Sequence, residues 1–291
     1  MNFIIEWFLP PKIKVWVRAL LSRFTGFRKV ESWESAVRKS SGYESFNVVE
    51  PIVAAARQLQ SNSQTTFVSN PRYQQIAAGM LFSISQERFS NGEPIRVLDV
   101  GGAGADYFYQ FQEFAPQINF DWTVLETPAL AEAMSNEFGR NLTNLRWLDS
   151  IEHTDEIYDV VLCSGVLQCV EKPFELLEPL AKKSKFLIIN RIPLVESPEH
   201  FFAVQNIITN GKRASYPVHF FGEKAFLTEL SQHGDVEMKW LVIEDQPVIK
   251  RKAWPHHGLV LRVNCFVAGV IAKCREYFEF DTVQTGITSV V

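Results

Sequence analysis

One stretch, from Ile95 to Asp106, does most to restrict how this 291-residue chain can fold. It reads Ile-Arg-Val-Leu-Asp-Val-Gly-Gly-Ala-Gly-Ala-Asp: an apolar strand carrying an acid near its end, a run of tiny residues, then the start of a helical pattern. A strand that passes through a tight turn into a helix belongs to a parallel sheet, because parallel neighbours need a crossover between them. Gly and Ala in the turn let the backbone approach a ligand closely. The anionic Asp99 does not suit a pyrophosphate, so the pattern predicts a ligand less negative than a dinucleotide.

The same alternation continues downstream. Strands are expected at 95–100, 120–125, 145–148, 158–163 and 185–190, with helices through Phe114, through Phe138 and over 174–181. After a helix at 223–232, two long strands near 236–244 and 258–271 have no helical pattern between them, which suits an antiparallel pair. The expected architecture is a Rossmann-like, doubly wound α/β fold: a seven-stranded sheet with an antiparallel C-terminal hairpin.

In such sheets the ligand lies beyond the carboxyl ends of the strands. The residues just after each strand are therefore the candidates. Asp99 stands near the end of the first, and Gly101, Gly102 and Ala103 follow it. Glu126 follows the second, where a carboxylate can accept from two vicinal ribose hydroxyls. Asp149 and Ser150 follow the third, placed to accept from an adenine amino group, although Asp149 could equally cap the next segment. Cys163, Ser164 and Gly165 follow the fourth, and Arg191 ends the fifth. Together, the glycine-rich turn and Glu126 indicate a nucleoside-type ligand.

Composition narrows the partners. A net charge of −4 gives no electrostatic footprint for nucleic acid. Cys163, Cys169, Cys265 and Cys274 form no CxxC pair, which argues against a zinc site or a disulfide framework and fits a reducing, cytoplasmic setting. No metal site is expected. No apolar run approaches the roughly 18–20 residues of a membrane span, and Pro10-Pro11 interrupts the first apolar run, so no signal peptide is expected.

Residues 1–92 read as a helical lead-in, and 93–291 as the ligand-binding domain. Ile13, Trp16, Val17, Leu20, Leu21 and Phe24 form an apolar stripe flanked by Lys12, Lys14, Arg18 and Arg23. That stripe can pack on its own domain, meet a second copy, or lie on the inner face of a membrane. Ser32 is a candidate N-cap for a short helix reaching Gly42, residues 48–60 look helical, and Asn70-Pro71 starts a stronger helix.

From about Ile95 onward the chain resembles the class I S-adenosylmethionine-dependent methyltransferases. The matching pieces are Val97 to Gly102, Trp122 to Pro128, and Tyr158 to Gln168 running on to Glu171-Lys172-Pro173. A narrower resemblance, carried by Trp33 to Ala36 with Gly42-Tyr43, Asn190 to Leu194, and Tyr216 to Phe221, is to a little-characterised bacterial group of methyltransferases that accompanies surface-polysaccharide loci. The resemblance implies S-adenosyl-L-methionine as cofactor and methylation, by family habit O-methylation, of a small-molecule or saccharide acceptor. It implies that Asp99 anchors the turn near the methionine ammonium and that Gly101, Gly102 and Ala103 meet the methionine portion. Glu126 would hold the ribose, Asp149 or Ser150 would face the adenine, and Cys163, Ser164 and Gly165 would line the pocket near the sulfonium. One departure stands out: Ala103 and Ala105 occupy positions where the family's turn has glycine, and Ala does not readily take positive φ. The freedom is then expected from Gly102 and Gly104.

A hydroxyl acceptor also wants a base matched to the working pH, a task suited to histidine. His219, expected on a substrate loop after a Tyr-Pro turn, and His200 are the candidates, with Arg191 pairing an anionic substrate group. Each histidine could instead be purely structural. Two other classes remain: a non-catalytic scaffold that keeps the fold, and a dinucleotide-dependent oxidoreductase. The latter needs a third glycine where Tyr107 sits.

Overall fold

The structure, a computed structural model, describes residues 26–42, 46–61, 70–86, 93–139, 142–196, 200–209, 212–242, 247–249 and 252–264. The basic amphipathic stripe of residues 12–24, Cys265 and Cys274 lie outside the described residues. In chain order the elements are β1 (Gly26–Val30), α1 (Trp33–Arg38), α2 (Phe46–Ser61), α3 (Pro71–Gln86), β2 (Ile95–Val100), α4 (Asp106–Phe114), β3 (Phe120–Leu125), α5 (Pro128–Phe138), β4 (Leu145–Leu148), β5 (Tyr158–Ser164), α6 (Pro173–Lys182), β6 (Ser184–Val195), β7 (Phe201–Thr209), β8 (Lys212–Gly222), α7 (Glu223–Leu230), β9 (Gly234–Val242), β10 (Val248–Ile249), β11 (Lys252–Ala253) and β12 (His256–Val263).

The centre of the sheet runs β4–β3–β2–β5–β6–β12–β9. The pairs among β4, β3, β2, β5 and β6 are parallel, whereas β12 lies antiparallel between β6 and β9. After β2 the chain winds outward through β3 and β4, then returns to place β5 on the other side of β2. The connections after β2 and β5 therefore run to opposite faces of the sheet, which makes this the switch point, where doubly wound sheets have their ligand crevice. Buried residues of α2, α3, α4 and α5 (Ala56, Met80, Phe108 and Met134 among them) fill one face. Leu177 and Leu180 of α6 and Phe226 and Leu230 of α7 fill the other. The fold is thus doubly wound, with α2 and α3 of the lead-in sharing its core.

Three elements depart from expectation. The lead-in contributes a strand as well as helices: β1 pairs antiparallel with β7. The Tyr216-Pro217 segment is no turn but the middle of β8, which pairs with β7 in register from Phe201 opposite Phe220 to Thr209 opposite Lys212. Proline usually reads against a strand because it cannot donate to the ladder. Here β8 meets β6 only at Phe221 and Gly222, so Pro217 borders β7 alone. The helix capped by Ser32 ends at Arg38, short of Gly42, while Ser32 does accept from the Ser35 N–H.

Strand β6 bends at Arg191, whose φ of 58° lies in the left-handed region. Opposite the bend, the β12 register slips between His257 and Leu259, so Asn190 and Arg191 together face Gly258. This is a bulge, and it re-aims two side chains at the strand's carboxyl end. Gly258 is required there, since a Cβ would lie 2.1 Å from the Trp240 ring.

Candidate functional site

The turn after β2 is built by close approach. Gly101 has φ of 68°, and a Cβ on Gly102 would lie 2.4 Å from the Asp99 carboxyl carbon. Gly102 therefore lies directly on the Asp99 side chain. The other positive φ values within this turn belong to Ala103 (48°) and Ala105 (62°), not to Gly102 and Gly104 as expected. The alanines thus hold the conformation glycine would favour, at a cost of about 1–2 kcal/mol each. Gly104 instead lets α2 come close: its Cβ would meet Ala56 at 3.2 Å. The amides of Gly101, Ala103 and Ala105 are already engaged, donating to Leu125 O, Glu126 Oε1 and Gly102 O.

Three carboxyl groups surround this turn. Asp99 is buried, and neither of its oxygens has a hydrogen-bond partner in the protein. Burial pushes its pKa up to about 8; the Glu126 and Asp106 charges add to the rise, and the nearby Trp122 indole and Arg72 oppose it. Asp106, in the first turn of α4, is raised by burial and opposed by Arg72. Glu126 is raised by burial, against the Thr127 and Ala103 amides that donate to its two oxygens at 2.9 and 3.0 Å. Trp147 Nε1 donates to Ala103 O at 3.1 Å, so β4 also holds the turn. Burial makes all three groups hold their protons more tightly than a free carboxyl group, so Asp99 on its own is not the anion expected from the sequence, and a cation, which favours their ionised forms, fits this surrounding better than a pyrophosphate.

Asp149 and Ser150 lie at the edge of this arrangement. Asp149 is exposed and bonded to His153 Nδ1 at 2.7 Å, and Ser150 accepts from the Glu152 amide at the start of a short 3-10 turn. On the β5 side, Cys163 is buried and its thiol is pushed far up by burial, which keeps it an apolar wall rather than a nucleophile. Ser164 Oγ lies 2.8 Å from Tyr107 Oη and accepts from Asn190 Nδ2 at 3.3 Å. The chain of bonds extends both ways: Arg72 Nε donates to Tyr107 Oη at 2.7 Å, and Trp240 Nε1 donates to Asn190 Oδ1 at 3.2 Å. Gly165 has φ of 79°, and its missing Cβ leaves room for the Arg191 guanidinium, which would lie 3.1 Å from it. The bulge therefore brings Arg191 to the switch point.

His219 and His200 are brought together elsewhere. Their ring centroids are 5.9 Å apart in a chamber of about 400 Å³ whose walls include none of the turn residues, Glu126 or Gly165. His219 Nε2 bonds to the Val170 carbonyl at 2.9 Å and so carries the proton. Burial, reinforced by the His200 charge, lowers its pKa to about 4, with the Val170 and Glu171 carbonyls opposing. Such an imidazole stays neutral at physiological pH and is a weak base there.

Arg72, Tyr107 and Asp106 were not singled out from the sequence, and Asn190 only as part of a strand end. Tyr107 follows the turn directly, but its apolar body reads as core. Arg72 sits in the first turn of α3, 35 residues from its partner, and no local signal marks it.

No family model matches the chain, and no curated protein matches it. Among solved structures it is similar to magnesium protoporphyrin IX methyltransferase (ChlM) from Synechocystis PCC 6803 with bound SAM: 11% identity, TM-score 0.44, covering 80% of this chain and 99% of that one. It is similar also to an S-adenosylmethionine-dependent methyltransferase from Clostridium acetobutylicum ATCC 824 (10%, TM-score 0.43, 66% and 92%). A third is the N-terminal domain of EvdMO1 with SAH bound (16%, TM-score 0.38, 64% and 80%).

Proposed function

We propose that the chain is an S-adenosylmethionine-dependent methyltransferase acting on a small-molecule or saccharide hydroxyl, with the cofactor in the crevice between β2 and β5. The observation that carries this reading is Asp99: a buried carboxyl group without a protein partner, directly beneath Gly102 at the switch point. A buried polar group left unpaired costs about 1–3 kcal/mol, more when charged, and a cation bound on the Gly101–Gly102 backbone above it offsets part of that cost through its charge rather than through a direct hydrogen bond, since both oxygens are covered. Three carboxyl groups near one turn suit a ligand carrying a sulfonium and an ammonium.

The cofactor supplies an already activated methyl group, so the protein's task is alignment, which can contribute roughly 7–11 kcal/mol. Glu126 fixes the turn through the Ala103 amide and keeps lone pairs for ribose hydroxyls. Asp149 and Ser150 bound the adenine end, with Cys163, Ser164 and Gly165 forming the opposite wall. Arg72, Tyr107, Ser164 and Asn190 hold that wall rigid, and α2 covers the turn. Arg191, brought beside Gly165 by the bulge, orients an anionic group of the acceptor.

Calorimetric titration with S-adenosylmethionine, S-adenosylhomocysteine and NAD tests the reading. Both sulfur nucleosides should bind in the micromolar range and NAD should not. Glu126→Ala should weaken binding about a hundredfold, the equivalent of about 3 kcal/mol of charged hydrogen bonding. A folded protein that binds neither sulfur nucleoside, or that prefers NAD, overturns it.

A further inference from the structure

The side chains behind the β5 end form one row of hydrogen bonds, and its two ends fix its direction. Both ends are groups that only donate. Arg72 Nε gives its proton to Tyr107 Oη at 2.7 Å. Trp240 Nε1 meets Asn190 at 3.2 Å, so the amide atom facing it is the oxygen, and Asn190 Nδ2 donates to Ser164 Oγ at 3.3 Å. Tyr107 Oη and Ser164 Oγ share the 2.8 Å contact in the middle.

The row holds one proton too many. Burial raises the Tyr107 pKa, against the Arg72 charge, the bonds to Ser164 and Arg72, and the Arg191 charge, so both hydroxyls are protonated at neutral pH. One proton lies in the shared contact, and the other has no acceptor among the described residues. Tyr107 is only 3% exposed, whereas Ser164 is half-buried. An unpaired donor costs least where a partner can reach it, so Tyr107 donates to Ser164 and the surplus proton is the one on Ser164 Oγ. With its two lone pairs filled by Tyr107 and Asn190, Ser164 can only donate outward.

Charge selects what that donor meets. Arg72 makes no ion pair among the described residues: its side chain bonds to a neutral phenol and lies 5.2 Å from that ring's centre. Arg191 Nη1 would lie 3.1 Å from a Cβ on Gly165, the neighbour of Ser164. The acids stand elsewhere, Asp99 and Asp106 around the turn after β2 and Glu126 after β3, whereas Arg191 belongs to β6, two strands from β2 and three from β3. A cofactor held by Asp99 and Glu126 leaves the β5–β6 side to the acceptor.

We propose that Ser164 Oγ–H, with Arg191 beside it, binds an oxyanion group (carboxylate or phosphate) of the acceptor, so that the substrate is an acidic rather than a neutral hydroxyl compound. Tyr107 and Arg72 are positioning residues that set the direction of the serine proton. Assigning the anion to the acceptor rests on the methyltransferase reading; the surplus donor does not.

The test is calorimetric titration of the full chain, with and without S-adenosylhomocysteine, using two probe pairs: D-glucuronate with D-glucuronamide, and D-glucose 6-phosphate with D-glucose. In at least one pair the acid should bind about tenfold more tightly than its neutral partner, the scale of one hydrogen bond to a charged group, and that pair tells carboxylate from phosphate. Ser164→Ala should remove most of the preference. Tyr107→Phe keeps the ring and the serine but lets the serine proton turn, and should reduce the preference about threefold with the neutral partner unaffected. A purely structural role for Tyr107 would weaken both partners alike. No preference for the acid in either pair, no binding of either acid, or an unchanged preference in Ser164→Ala overturns the proposal. So does a loss of S-adenosylhomocysteine affinity in Ser164→Ala as large as the loss for the acid, because the donor then serves the cofactor's own carboxylate. Failure of the methyltransferase reading shows separately, as absence of S-adenosylhomocysteine binding to the wild type, while the preference for the acid is read without that ligand.

Discussion

The crevice after β2 and the histidine chamber handle polar groups in opposite ways. The crevice concentrates cost: a buried unpartnered carboxyl group, two alanines in left-handed backbone and an arginine at positive φ lie around one switch point. The chamber concentrates packing, with His219 stacked on Trp33 and Phe221 and its one donated hydrogen bond satisfied by Val170. Residues that strain a fold without stabilising it are expected where a ligand completes the balance, while stacked rings stabilise the protein whether or not anything binds. The contrast implies that substitutions in the crevice can raise stability, whereas those in the chamber lower it.

Asp99 should show the largest effect. Its folded pKa of about 8 lies above the ordinary carboxylate value, so between about pH 4 and 8 the native state holds a proton that the unfolded chain releases. Stability from this group is then fully present below about pH 4 and lost as pH rises towards 8, with a limiting slope of about 1.4 kcal/mol per pH unit. Asp99→Asn should flatten that slope and be the more stable protein at pH 8, in urea denaturation at a series of pH values. Parallel profiles for the two proteins would place Asp99 in a solvated setting and dissolve the contrast. Added S-adenosylmethionine should act in the reverse sense on the wild type, because a cationic ligand favours the ionised form.

His219→Ala should destabilise by about 3 kcal/mol, the usual loss for truncating a buried ring. A loss below about 1 kcal/mol in the same denaturation experiment would mean that the chamber rings are not structural. The smallest effect is expected at Ala105, buried at φ 62°. Ala105→Gly relieves left-handed strain but adds backbone entropy to the unfolded chain, for a net gain of about 0.5–1 kcal/mol. That corresponds to a melting temperature higher by about 1–4 °C. An unchanged or lower melting temperature would show that the turn is not strained.

Much of the crevice was readable in the chain. Strand ends are local features, so Asp99, Glu126, Ser164 and Arg191 could be placed by finding where each apolar run stops. The turn glycines were half readable. Composition marks a tight turn, but which residue takes positive φ depends on what lies beneath it, and the Asp99 carboxyl under Gly102 is a tertiary fact. Asp149 shows the same limit: the strand end was visible, its pairing with His153 was not.

The chamber was opaque for a different reason. Its walls come from residues near 33, 171, 202 and 219, and no period or motif links them. Pro217 concealed β8, because the one-sided pairing that tolerates proline is settled by strand order rather than by the strand itself.

By itself, the sequence determined the alternation of strands and helices, the acid at two strand ends and the small-residue turn, since these depend on side-chain period and size within a few residues. Only the tertiary structure decided that Ala103 and Ala105 bear the left-handed backbone, that a bulge delivers Arg191 to Gly165, and that two histidines meet away from the crevice. Each of these is fixed by contacts between segments far apart in the chain, where packing and burial, not local propensity, set the lowest free energy.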